Sequence, residues 1–269
     1  MEDGKGGPGG RVKKRIKDGF DEAFHKAMDI MADATDVPDF VYERAIKKGD
    51  MYTVRRILKS MDVNRRLHNH ETAFTEALIW CPKDKIEEVI KLLLKKEANV
   101  NLTNDFGVNA VFSATAYHDI SVIKMLLEAG GDINAKSKDG YTAFMSAARE
   151  NRIAVMELYL QHGADMGAVT DSGTSALMEA TRLNRKEAVV FLLKRGVDTE
   201  AFVVNYAGER WDAYRIAKAS GFKEIVAMLQ PYEDARLARE AQASLMRNDL
   251  NPTAVHTHPA AKEISRRLS

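Results

Sequence analysis

Few residues of this chain could carry out chemistry. Two short histidine pairs, His68 with His70 and His256 with His258, come nearest to a metal site. Neither pair has cysteine or histidine partners at the spacing that a zinc ion requires. The glycine-rich stretch over residues 4–10 contains a lysine, but it lacks the residue order of a phosphate-binding loop. We therefore expect no metal, no phosphate-binding loop and no bound cofactor.

Nucleophilic catalysis is not indicated either. The single cysteine, Cys81, lies in the hydrophobic context LIWCP, which is typical of a buried, inert thiol. It cannot form an internal disulfide, and this favours a reducing compartment. The motifs G-x-S-x-G, H-E-x-x-H and C-x-x-C do not occur. These observations predict a protein that is not an enzyme and has no small-molecule substrate.

The composition describes a globular protein with a balanced charge. The 269 residues are 45% hydrophobic, and 40 basic residues against 39 acidic ones give a net charge of +1. That balance does not favour binding to nucleic acid or to an anionic membrane. No apolar run approaches the ~18 residues that span a bilayer, and the first ten residues do not resemble a secretory signal. We expect a soluble, cytoplasmic protein, with the nucleus as the alternative.

The elements that organise the chain recur with a fixed period. Five classes of position repeat at one constant step, and such self-similarity is the signature of a repeat protein. Glycines suit tight turns and helix ends, alanines allow close helix packing, leucines fill a core, and aspartates stabilise turns. The recurring residues are Gly107, Gly140 and Gly173; Ala114, Ala147 and Ala180; Leu127, Leu160 and Leu193; Gly130, Gly163 and Gly196; and Asp132, Asp165 and Asp198.

The repeated unit resembles a known family. The segments DGYTAFMSAA and LQHGAD, within a helix–turn–helix unit of about 33 residues, are similar to the ankyrin repeat and its T-P-L-H-x-A pattern. The chain departs from that pattern at two positions. The proline is replaced by Ala110, Ala143 and Ala176, and the histidine by Phe112, Met145 and Met178. The resemblance implies an all-α ankyrin-repeat solenoid of about six units with helical extensions at both ends.

The flanking repeats are less regular. The step from Ala77 to Ala114 is four residues longer than the period, and this predicts extra residues between two helices, at WCPK over 80–83. The step from Ala180 to Ala217 is longer by the same amount, so the connection EAFVVNYAGER is extended, and a closing repeat with Gly221 at its hinge follows it. We expect the ankyrin-repeat domain to cover residues 38–232.

Segments outside the repeats are predicted to be helical or extended. Residues 1–37 combine a flexible N-terminus with an amphipathic helix over 11–31, which either caps the first repeat or docks a partner. Residues 233–269 contain a helix and an extended tail. We expect that helix to begin at Pro231, with acidic residues in its first turn, and to stop between about Asn248 and Pro252.

A basic cluster lies within the N-terminal segment. It supplies nuclear import or contacts to nucleic-acid phosphates, or it is simply the solvated end of a helix. It is also the only place where we expect a nucleic-acid contact. Its members are Arg11, Lys13, Lys14, Arg15 and Lys17.

By resemblance, ankyrin-repeat proteins bind other proteins through turn tips and first helices. We expect Met145 and Met178, which hold equivalent positions, to be core residues, whereas the role of Trp80 stays open. Aromatic and arginine side chains are favoured binding anchors. The predicted protein-binding residues are Phe106, Phe112, Tyr117, Asp139, Tyr141, Arg149, Arg182 and Tyr206.

Two functional interpretations follow from the resemblance. The first is a non-enzymatic scaffold for protein–protein interaction that forms a subunit of a larger intracellular assembly. The second is a regulatory adaptor that inhibits or localises an enzyme or transcription complex and uses the basic cluster for import. The sequence does not identify the partner.

Overall fold

A computed structural model describes residues 39–205 and 207–249 in two compact units. Unit 1 extends to Lys138, and unit 2 begins at Asp139. The predicted N-terminal helix, the basic cluster and the tail after residue 249 lie outside the described residues. Those expectations, and the domain boundaries at 37 and 232, stay predictions.

Unit 1 is built of consecutive helix pairs. Each first helix packs on the helix that follows it, and first helices also pack on one another along the chain. Between residues 39 and 138 the helices are α1 (Asp39–Lys48), α2 (Met51–Ser60), α3 (Ala73–Trp80), α4 (Ile86–Lys95), α5 (Ala110–Tyr117) and α6 (Ile120–Glu128).

Unit 2 continues the same pattern and adds one hairpin. Its elements are α7 (Ala143–Arg149), α8 (Ile153–Gln161), α9 (Ala176–Arg182), α10 (Lys186–Lys194), β1 (Phe202–Val204), β2 (Arg210–Asp212), α11 (Ala213–Ala219) and α12 (Lys223–Asp249). The two strands are antiparallel, with Val203 opposite Trp211. The predicted helical class with helix–turn–helix units is confirmed, whereas the number of ankyrin units stays a prediction.

First helices begin at a polar side chain that caps the backbone. Thr72 Oγ1 accepts a hydrogen bond from the Thr75 N–H at 3.1 Å, and Asn109 Oδ1 accepts one from the Phe112 N–H at 2.9 Å. Such caps satisfy N–H groups that have no partner within the helix. The same arrangement opens α7, α9 and α11, at Thr142, Ser175 and Asp212.

The alanines that recur in the sequence form the centre of the packing. Ala77, Ala114, Ala147, Ala180 and Ala217 are all fully buried. A larger side chain at any of these positions would push the packed helices apart, because protein interiors have little free volume. The period in the sequence is therefore a period of close helix contacts.

Both predicted insertions lie in connections between elements. Helix α3 ends at Trp80 and α4 begins at Ile86, so the extra residues lengthen that loop, as predicted, but Trp80 belongs to the helix and not to the insertion. The downstream extra residues form the β1–β2 hairpin. A Cβ atom at Gly173 would lie 2.4 Å from the carbonyl oxygen of Phe202, so the backbone of β1 packs where only glycine fits.

The prediction of a separate C-terminal helix beginning at Pro231 is wrong. Helix α12 is continuous for 27 residues, and Pro231 lies inside it. Proline at this position removes one backbone donor but does not end the helix. The buried Arg236 pairs with Glu233 at 2.7 Å and Glu240 at 2.6 Å, and these contacts join successive turns beyond the proline.

Candidate functional site

Three apolar side chains in the described part of unit 1 are exposed at the C-terminal ends of first helices. Trp80 is 52% exposed and Tyr117 is 66% exposed, and each is the last residue of its helix, eight residues after the capping residue. Ile79, beside Trp80, is also exposed. Because the core does not use them, these large side chains are available to contact another molecule. We call Ile79, Trp80 and Tyr117 the apolar ridge.

The turn before α5 presents a further aromatic ring. Phe106 is 67% exposed. Its backbone N–H donates to Asn104 Oδ1 at 3.0 Å, and the buried Asn104 side chain also accepts from the Val108 N–H at 3.0 Å. The turn is therefore held by Asn104, which leaves the Phe106 ring in solvent. Phe112, on α5, is half-buried.

A buried carboxylate lies close to the ridge. Lys47 Nζ is 4.6 Å from the centroid of the Trp80 ring and 3.7 Å from Glu76 Oε1. The Glu76 side chain is fully buried, and its Oε2 accepts a hydrogen bond from Asn69 Nδ2 at 2.9 Å. Oε1 accepts no hydrogen bond. The ammonium of Lys47 thus offsets the charge of Glu76 without reaching hydrogen-bond distance.

Burial raises the pKa of Glu76 above the ordinary value of a glutamate. The hydrogen bond from Asn69 and the charge of Lys47 oppose that rise, whereas the carboxylates of Glu43 and Glu71 add to it. Three carboxylates therefore act on this part of unit 1, and Lys47 is the cation beside Glu76. The local charge favours a cationic group.

Unit 2 has a glutamate at the same position of the repeat. Glu76 lies four residues after the cap Thr72, and Glu179 lies four residues after the cap Ser175. Glu179 is also buried, but its Oε2 accepts a hydrogen bond from Arg182 Nη2 at 2.8 Å. This carboxylate already has its cation.

Three of the predicted binding residues are brought together around Glu179. Burial raises the pKa of Tyr141, and the neighbouring Glu179 raises it further, while Arg149 and Arg182 oppose the rise. Tyr141 is half-buried, although its place at a turn tip predicts exposure. Arg149 and Arg182 are exposed. Each arginine has an acidic neighbour within its own unit. Arg149 Nε is 3.6 Å from Glu150 Oε1, and Arg182 donates to Glu179.

The remaining predicted residues have different outcomes. Asp139 is exposed, and its carbonyl oxygen accepts a hydrogen bond from the Asp171 N–H at 3.1 Å. Tyr206 lies outside the described residues. Met145 and Met178 are buried, in agreement with their interpretation as core residues.

Sequence reasoning missed Glu76 and Lys47 and left Trp80 open. Glu76 is the one charged residue of α3, and a glutamate is most often a solvated surface residue. One signal was present in the sequence: Glu76 and Glu179 share a repeat position, yet only the second has an arginine three residues later.

Within residues 39–205 and 207–249, no three side chains of histidine, cysteine, aspartate or glutamate are grouped so as to hold a metal ion. His68 Nδ1 lies 3.4 Å from Glu43 Oε1 and 3.6 Å from Asp39 Oδ2, which is an ion pair when the histidine is protonated. His256 and His258 are outside the described residues. In the same part of the chain, no helix has both the length and the apolarity to cross a membrane.

Comparison with known proteins agrees with the fold. A family model described as ankyrin repeats, in three copies, matches residues 43–137 and again residues 111–203. The two matches together cover more than half of the 269 residues. No curated protein sequence matches the chain. Ankyrin repeats are generally modules for protein–protein interaction. The chain belongs to the ankyrin-repeat family.

Proposed function

We propose that this protein is a non-enzymatic interaction scaffold, a subunit of a larger intracellular assembly. The observation that carries the proposal is the exposure of the apolar ridge in unit 1. Trp80 and Tyr117 hold equivalent repeat positions, so their rings occupy the same end of neighbouring first helices. Buried aromatic side chains supply much of the binding energy in protein complexes. A partner that covers the ridge would remove this apolar surface from water.

The rest of unit 1 supports a binding role. Phe106 adds another exposed aromatic ring, on a turn whose backbone is held by hydrogen bonds. A surface that is already ordered loses little conformational entropy when it binds, so rigid complementarity is the mechanism that we propose. The predicted segments outside 38–232 offer further surface for a stable assembly rather than a brief contact.

The test is co-purification of the full chain from extracts of its source cells, followed by chemical cross-linking and mass spectrometry. We expect one or more proteins at fixed stoichiometry, with cross-links to lysines close to the ridge, such as Lys47 and Lys83. A monodisperse monomer with no cross-linked neighbour in the extract would contradict the proposal.

A further inference from the structure

We propose that Glu76 and Trp80 form a recognition site for an arginine side chain of the partner, with Lys47 holding the place in the free protein. The inference rests on the proposed function, because it names the chemistry of the partner at the apolar ridge. Glu76 gives the apolar ridge a negatively charged centre. The partner segment that fits this surface is therefore an arginine flanked by apolar residues.

Unit 2 shows how this repeat position satisfies a buried glutamate. Arg182 lies three residues after Glu179 and donates to it at 2.8 Å. The residue three positions after Glu76 is Ile79, which has no donor. Both units thus have the buried glutamate, but only unit 2 has an arginine three residues after it. An arginine from another protein would supply the missing donor at Glu76 Oε1.

Trp80 makes the site specific for a flat cation. The face of a tryptophan ring attracts cations, and Lys47 Nζ already lies 4.6 Å from its centroid. A guanidinium group stacks on an aromatic ring and donates hydrogen bonds in its own plane, whereas an ammonium is a point charge. Arginine can therefore use the ring and the carboxylate together.

Lys47 covers the site in the free protein. Its side chain is 45% exposed, and its ammonium lies 3.7 Å from Glu76 Oε1, too far for a hydrogen bond. A lysine has a flexible stem and returns easily to water, so displacing it costs little. An incoming arginine would replace a loose ion pair with hydrogen bonds to the same oxygen.

The surroundings suit an arginine with apolar neighbours. Glu43 and Glu71 act on Glu76 with negative charge, and this adds to the attraction of a cation. Among the described groups that act on Glu76, Lys47 is the one cation, and its charge opposes that attraction. Ile79 and Tyr117, both exposed, are the other apolar side chains of the ridge, and we expect aliphatic neighbours of the arginine to contact them.

The test uses the full chain labelled with nitrogen-15 and two peptides, acetyl-Leu-Arg-Leu-amide and its counterpart with neutral citrulline. The chain has two tryptophans, so the indole N–H signal of Trp211 is an internal control for that of Trp80. We expect the arginine peptide to shift the Trp80 signal in a saturable way, while Trp211 is unaffected. Equal shifts with citrulline, or no shift up to the solubility limit, would overturn the proposal.

Three variants sharpen the test. Glu76→Gln should weaken peptide binding about tenfold, which corresponds to about 1.4 kcal/mol. Lys47→Ala should strengthen it, and a gain cannot result from misfolding. The matched control, Glu179→Gln, should leave the affinity unchanged. If Glu76→Gln binds the arginine peptide as well as the parent chain does, the proposal fails.

The failure of this inference is distinguishable from the failure of the proposed function. If the co-purified partner depends on Trp80 and is insensitive to Glu76→Gln, the scaffold role stands and the arginine site is wrong. If the arginine peptide binds with the expected pattern while no partner co-purifies, the site stands and the scaffold role is wrong.

Discussion

Glu76 in unit 1 and Glu179 in unit 2 hold the same position of the repeat, yet only Glu179 accepts a hydrogen bond from an arginine. A buried carboxylate without a full set of donors is costly, because it has lost its hydration. A buried carboxylate that lowers stability is often retained because it contributes to binding or catalysis. In this chain Glu179 is satisfied by an arginine of its own unit, whereas Glu76 Oε1 accepts no hydrogen bond, and we propose that a partner supplies that donor.

Removing Arg182 should destabilise unit 2. Arg182→Ala leaves Glu179 buried without its cation, and we expect a loss of about 1–2 kcal/mol, moderated because Arg182 is itself half-exposed. Replacing Glu179 with glutamine in the same chain should recover part of that loss, since the stranded charge is then gone. Urea unfolding of the two single variants and the double variant measures the coupling. Simple additivity would show that the pair does not interact.

The raised pKa of Glu76 predicts how stability depends on pH. Folding favours the protonated carboxyl, so between the unfolded value of about 4.3 and the higher folded value the native state binds more protons. Stability should therefore fall as pH rises through that window and level off above it. Glu76→Gln lacks this dependence.

The measurement is urea unfolding of both proteins at a series of pH values. Their difference in unfolding free energy should change in favour of Glu76→Gln as pH rises from about 4.3, the unfolded reference value. If the difference in unfolding free energy is constant with pH, or changes in favour of the parent chain, the pKa of Glu76 is not raised by folding.

The fixed period of the sequence could be used to predict the helices because its alanines mark positions of close packing. Ala114 and Ala147 recur because each must be small where helices touch, and both are fully buried. The insertion after Trp80 was predictable for the same reason, since extra residues cannot enter a packed helix without breaking its register. In this chain the spacing of the recurring residues was enough to predict the helix pairs and the position of the insertion.

Other features depend on contacts that spacing does not encode. Pro231 is a normal first residue of a helix, and the helix is seen to continue through it only from contacts that span the proline, such as the hydrogen bond from Gln230 Nε2 to Asp234 Oδ1 at 2.8 Å. Tyr141 stands at a turn, but Glu179 in the next repeat draws it inward. The partner of Glu76 is Lys47, which lies on α1 in the preceding helix pair, and no local pattern predicts that contact.

The hairpin of unit 2 depends on a glycine at a close approach. Gly173 has φ +90°, and an added Cβ would overlap the carbonyl oxygen of Phe202. Gly163 is the matched control, since it has φ +79° and no atom near an added Cβ. Alanine at Gly163 should cost about 1 kcal/mol through backbone strain alone.

Alanine at Gly173 should cost at least about 1 kcal/mol more than alanine at Gly163, because the hairpin must also move away. Thermal unfolding of the two variants measures the difference. Equal losses would mean that Phe202 does not pack against Gly173 in solution.

Cys81 should be nearly unreactive in the native state. Burial raises the pKa of its thiol from 9.0 to about 11, and Asp84 adds to the shift. At neutral pH the thiolate is then about a hundredfold scarcer than in an accessible thiol. Iodoacetamide should label the unfolded chain at least that much faster than the native one. Similar rates in the two states would show that the thiol is accessible.

We expect the apolar ridge of unit 1 to bind a protein partner, and removing its two aromatic rings should abolish that binding. The double variant Trp80→Ala/Tyr117→Ala is compared with Tyr52→Ala, which removes an exposed aromatic ring from a second helix. Size-exclusion chromatography of cell extract reports the fraction of each chain in the complex. We predict that the parent chain and Tyr52→Ala elute with the partner, while the folded double variant elutes as a monomer. If the double variant stays in the complex in the same fraction as the parent chain, the ridge is not the binding surface.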